Sequence, residues 1–186
     1  MAYRSMLSRW LMVLVALAVG FASSTCSRPK ETELPFLTLV KQQDLFFQSP
    51  ESRRSVVCQY PEEMDLLVAA RSDDAQQIVD SLCPEHPGLR WDVLMEVDYT
   101  QYWVVVAYMG AEPWSGFQIT IEEMTQVGRT IRVAISTVEP TLGTQIFVNP
   151  HHVVLVERSA LRRKGNLTFE MWEGEQLLLT RSYVVF

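Results

Sequence analysis

The sequence predicts an α+β, mainly β domain: an antiparallel sheet or sandwich with a short helical segment near its N-terminal end. Three observations carry this. Tyr102 to Met109 is an uninterrupted apolar run rich in Val and aromatics, which suits a strand buried on both sides. Phe117, Ile119 and Ile121 alternate with polar residues, and so do Ile131, Val133 and Ile135, the pattern of a half-buried hairpin. Helical spacing is confined to the stretch between Pro61 and Pro84.

The first residues address the chain rather than build the fold. Arg4 and Arg9 precede thirteen residues, Trp10 to Ala22, that are apolar throughout; small residues follow, and then Cys26. A basic start, a short apolar run and a small-residue exit make an export signal. The run is too short to cross a bilayer comfortably, which takes about 20 residues. The cysteine predicts a lipoprotein cleaved before Cys26 and acylated on it, lying on the outer face of a bacterial membrane. Ser23 and Thr25 stand where such sites usually carry Leu and a Gly or Ala. Cleavage after Ala22 or Ser24, or an uncleaved anchor, are the other readings. The expected organisation is therefore a signal over 1–25, a polar tether over 26–34, and one globular domain over 35–186.

The elements follow in order. Phe36, Leu37, Leu39 and Val40 predict a first strand, and Ser55 to Cys58 a second. Pro61 suits a first helical position, with Met64, Leu67 and Val68 at i, i+3 and i+4. Ser72 is an expected N-cap before Asp73 and Asp74, with Ile78, Val79 and Leu82 as the buried face and Pro84 as the stop. The reading is two short helices or one interrupted helix. After the central strand, Gly110 to Gly116 is a loop. The hairpin turns near Val127-Gly128, and Pro140 to Gly143 is another loop. Val153 to Val156 is a strand entered at Pro150. Leu167, Phe169 and Met171 pair with Leu177 and Leu179 across Glu173-Gly174, and the last strand runs to the final Tyr-Val-Val-Phe.

Composition narrows the function. The net charge of −6 becomes about −8 once the signal, which holds Arg4 and Arg9 and no acid, is removed. No basic stripe remains to track a phosphate backbone, so nucleic acid is not an expected partner. Outside the cytoplasm, Cys58 and Cys83 are expected to pair, closing a loop worth roughly 3 kcal/mol. The alternative is two buried thiols. The sequence lacks Gly-x-Ser-x-Gly, His-Glu-x-x-His, a phosphate loop and Cys-x-x-Cys. Of three histidines, His151 and His152 are adjacent and would point to opposite faces of a strand, which is no metal grip. No catalytic residue, metal or cofactor is expected, and the chain reads as a binding protein.

Its best candidate surface is the loop Pro113-Trp114-Ser115-Gly116-Phe117. A large aromatic in turn chemistry, held by a sheet, is a common interface anchor. The alternative is that Trp114 folds back as a plug. An open sheet edge is a second possible interface.

Two segments carry a resemblance. Val97-Asp98-Tyr99-Thr100, the strand ending Ala107-Tyr108-Met109-Gly110, and Glu112-Pro113-Trp114-Ser115-Gly116-Phe117 come first. The hairpin, Glu139-Pro140, Gln145 and Asn149-Pro150-His151-His152 follow. Over roughly residues 97–157 this order resembles the C-terminal domain of the PrcB family, a lipoprotein subunit of a bacterial surface protease complex. That family typically reads Lys-Pro-Thr-Gly-Gly-Tyr at the loop. Here one glycine is lost and Trp114 gained, so the backbone shape that two glycines permit is not carried over. The resemblance implies an extracytoplasmic accessory role with a protein partner, a protease among the candidates. A protease inhibitor acting through the 110–117 loop is the alternative.

Overall fold

The computed structural model describes residues 30–46, 63–81, 91–145 and 147–186. The expected export signal, Cys26, the Ser55–Cys58 strand and the Cys58–Cys83 pair lie outside the described residues. Glu31–Phe186 forms one compact unit.

Among the described residues the domain is mainly β with one short α-helix, as its patterning predicts. Strands β1 (Thr32–Glu33), β5 (Gln118–Val127), β6 (Thr130–Val138), β8 (Gly165–Glu173) and β9 (Gln176–Val185) form one sheet in that spatial order. Strands β2 (Phe36–Phe46), β7 (Phe147–Glu157), β4 (Tyr102–Tyr108) and β3 (Asp65–Ala69) form the other. Helix α1 (Ser72–Ser81) and a 3-10 helix (Trp91–Glu96) cover the outer face of the four-stranded sheet. The sequence leaves open a single antiparallel sheet or a sandwich, with a short helical segment. The described residues form two packed sheets, one of them also covered by helices.

Strand β4 explains why. Trp103 through Tyr108 are all fully buried. Alternation sends Trp103, Val105 and Ala107 toward the five-stranded sheet, where they meet Ile121, Val133 and Phe169. Val104, Val106 and Tyr108 point the other way, onto Ile78, Trp91 and Leu94. Trp103 and Phe169 meet edge to face at 5.6 Å, and Phe169 meets Tyr183 in the same manner at 5.7 Å.

Both expected hairpins form, with two-residue turns at Gly128-Arg129 and Gly174-Glu175. Four features depart from the patterning. Met64, Leu67 and Val68 do not share a helix face; β3 runs through them and pairs antiparallel with β4. A short apolar run fits either period, and the open edge of β4 decides it. The start of α1 is closed by Asp74 rather than Ser72: its carboxylate accepts the Ala70 N–H (3.0 Å) and faces Arg71 (3.3 Å). Thr32–Glu33 pairs with β5 and Leu34 is 1% exposed, so the fold begins inside the stretch whose polarity suggests a tether. Finally, β7 starts before Pro150, at Phe147. The β4 ladder ends at Tyr108↔His151, and Pro150 needs only to accept from Met109 N–H (3.0 Å).

Among the described strands one pairing is parallel, β6 with β8, because β7 leaves for the other sheet between them. Arg158, just after β7, fastens this crossover. Its guanidinium donates to the carbonyl oxygens of Tyr99 (2.6 Å), Ala70 and Phe186. Buried Gln126 does similar work, accepting from Arg162 N–H (2.8 Å) and donating to Arg163 O (3.1 Å).

Charge-assisted hydrogen bonds are worth about 1.5–3 kcal/mol each where water cannot replace them. Arg158→Ala is therefore expected to cost about 2–4 kcal/mol, read as a lower urea midpoint with an unchanged slope. A loss under about 0.5 kcal/mol would mean that water takes over the three carbonyls.

Candidate functional site: a double loop at one end of the sandwich

Two connections cross between the sheets at the same end. Residues 110–117 carry the chain from β4 to β5, and residues 139–145 lead from β6 toward β7. Because β5 and β6 are hairpin partners, closing at Gln118↔Val138, the two connections run side by side.

They are locked together. Glu112 and Val148 exchange backbone hydrogen bonds of 2.8 and 2.9 Å. Ser115 N–H donates to Thr144 O (3.0 Å), and Thr144 N–H donates to Ser115 Oγ (2.9 Å). Two glycines permit the close approach. Gly116 has φ +105°, and a Cβ there would sit 2.8 Å from Pro140 Cβ. A Cβ on Gly143 would sit 2.3 Å from Ser115 O and 3.1 Å from Trp114 Cβ. Side chains at either position would push the loops apart.

The five residues singled out in the sequence divide accordingly. Pro113 is exposed and Trp114 is 42% exposed, so the indole is presented at the surface rather than sealed into the core. Ser115 and Gly116 are half-buried and hold the second loop. Phe117 is 8% exposed and lies beneath the loop. The sequence reading did not include the partners from the second connection. Leu142 is 93% exposed and Val138 is 50% exposed. Both were within reach of sequence reasoning, as apolar residues beside Pro140 and Gly143. What pattern alone lacks is the topology that brings the second connection against the first.

Two carboxylates belong to the same end, Glu112 from the first loop and Glu139 from the second. Burial first, and then the Glu139 charge, hold the Glu112 carboxyl above its ordinary range.

The adjacent histidines do separate. His152 faces the five-stranded sheet. Ile121 N–H donates to its Nδ1 (2.8 Å), so Nε2 carries the proton and donates to Thr38 Oγ1 (2.9 Å). This ring spans from β7 to the β5 bulge between Ile121 and Glu123. His151 faces the helices. It lies against Trp91 with ring centroids 4.5 Å apart, and its Nδ1–H donates to Asn149 O (3.0 Å). Tyr108 O–H donates to Asn149 Oδ1 (2.7 Å) beside it. Among the described residues no group of three or more His, Cys, Asp or Glu is placed to hold a metal ion.

The outer face of the five-stranded sheet carries a shallow groove of about 360 Å³ beside Trp172. Arg132 lies over that indole at 5.6 Å and pairs with Glu170 at 3.7 Å. A cation of the chain itself thus already lies over this aromatic surface.

Comparison with protein-family models, with curated proteins and with solved structures yields no match. Among the described residues no helix is long and apolar enough to cross a membrane.

Burial pushes the pKa of both rings down to about 4, aided at His152 by the Lys41 ammonium. The native state therefore binds fewer protons than the unfolded chain. The stability tied to neutral His151 and His152 is full above about pH 6.5 and is lost progressively as pH falls toward 4. Urea midpoints should fall between about pH 7.5 and 4.5, and by less in His152→Gln. An equal fall in that variant would remove His152 from the account.

Proposed function

We propose that this chain is a non-catalytic, extracytoplasmic binding or accessory protein, tethered to the outer face of a bacterial membrane through a lipid on Cys26. It captures a protein partner with the double loop and serves as a subunit or regulator of a surface protease complex. The observation that carries the binding role is Trp114, 42% exposed on a loop braced by hydrogen bonds to a second loop and to β7. Rigid aromatic anchors lose little entropy on binding and often dominate an interface. The tether rests on the sequence around Cys26, and the protease context on the resemblance over roughly residues 97–157.

An inhibitory loop that mimics a substrate must lie extended in a protease cleft. Here Ser115 N–H is committed to Thr144 O, and the chain turns at Gly116. This favours a preformed docking surface over an inserted segment.

Capture from solubilised membranes tests the reading. Trp114→Ala should lose at least about thirtyfold in partner affinity, about 2 kcal/mol, with a melting temperature close to the parent. Phe117→Ala is the contrasting variant, expected to cost about 3–5 kcal/mol of stability. Unchanged capture by Trp114→Ala, or a melting loss like that of Phe117→Ala, would overturn the docking role. Cys26→Ala should move the protein from the membrane pellet to the soluble fraction. If it stays in the pellet, the 10–22 segment is the anchor and the lipid tether fails.

A further inference from the structure

We infer that the partner surface is basic and apolar: a Lys or Arg side chain laid on Trp114 within reach of Glu112 and Glu139, with an adjoining apolar side chain on Leu142 and Val138. This inference rests on the docking role proposed above and adds the chemistry of what docks.

Charge is the first argument. Both loops come from stretches without a cation: no Lys or Arg occurs from residue 91 to 128, or from 133 to 157. The ion pairs of the described residues join Arg71 to Asp74, Arg132 to Glu170 and Arg181 to Asp65. Neither Glu112 nor Glu139 takes part in one. Their mutual repulsion, with the partial burial of Glu112, leaves a site that gains from an incoming positive charge and rejects an acidic one.

The second argument is internal to the molecule. On the outer face of the five-stranded sheet, Arg132 lies over the Trp172 ring at 5.6 Å and meets the Glu170 carboxylate at 3.7 Å. That is an indole, a carboxylate and a guanidinium in mutual contact. On the double loop Trp114 is also an exposed indole, two residues from Glu112, and among the described residues no cation lies over it. The negative face of an exposed indole attracts an ammonium or guanidinium.

Shape supplies the apolar half. Leu142, 93% exposed, adjoins Gly143, which packs against Trp114, and Val138, 50% exposed, adjoins Glu139. An isolated cation would leave them uncovered, whereas a basic residue next to an apolar one covers both.

The test uses the full chain, immobilised and challenged with a display library of short random peptides. Binders are kept only if they are retained by the parent chain and lost on Trp114→Ala. These should be enriched in Lys or Arg adjoining an apolar residue. A synthetic copy of the strongest should bind about tenfold more weakly to the doubly substituted Glu112→Gln, Glu139→Gln chain, and lose similarly when its own basic residue is replaced by norleucine. Its affinity should fall as salt is raised. Melting temperatures of the variants confirm that they are folded. Trp114-dependent peptides without basic enrichment, or equal affinity for the double Gln variant, would overturn this inference and leave the docking role standing. Finding no Trp114-dependent peptide would overturn both.

Discussion

Burial of β4 on both faces is the constraint on which the rest depends. Seven residues with no charge among them cannot face water on either side, so the chain must supply two covers. The five-stranded sheet is one, and α1 with the 3-10 helix is the other. Two covers require the chain to pass repeatedly between layers. It leaves the four-stranded sheet after β4, returns for β7 and leaves again for β8. The parallel β6–β8 pair, the Arg158 clasp and the double loop are consequences of those passages.

A sandwich of this kind exposes sheet edges, and side chains occupy several of their main-chain groups. On β3, Leu66 N–H donates to Asp65 Oδ1 and Leu66 O accepts from Tyr183 O–H, while Ala70 N–H and O meet Asp74 and Arg158. On β5, beyond Thr125 and Gln126, which β1 covers, Ile121 N–H is given to His152. Groups used in this way are unavailable to a foreign strand. The cost is a set of polar side chains near the core, among which His152, like His151 on the other face of β7, has a charge state that matters in mild acid.

How much of this was legible follows from the range of each interaction. The central strand and both hairpins were readable, because alternation and Gly turns are local signals. Strand β3 was not: Leu66, Leu67, Val68 and Ala69 fit either period, and only the neighbour β4 resolves them. The parallel pair was not, since nothing in β7 itself says which sheet it joins. The same boundary runs through the candidate site. Trp114 and Gly116 were visible as turn chemistry. Leu142, Val138 and Glu139 became part of the site only through a crossing that no short window of sequence contains.

That division bears on why the loop is built as it is. A single loop carrying an exposed indole would lose conformational freedom on binding, and this loss would offset part of the contact energy. Here the freedom is removed during folding. Gly116 and Gly143 allow backbone to approach backbone more closely than any side chain would permit, and Ser115 and Thr144 convert that approach into hydrogen bonds. Gly116 has a left-handed backbone and an approach to Pro140 that leave no room for a side chain. At the preceding position, Ser115 instead contributes its hydroxyl to Thr144 N–H. A serine at position 115 therefore supplies a fixed strut, and a fixed strut is what a surface-exposed tryptophan needs if it is to act as an anchor.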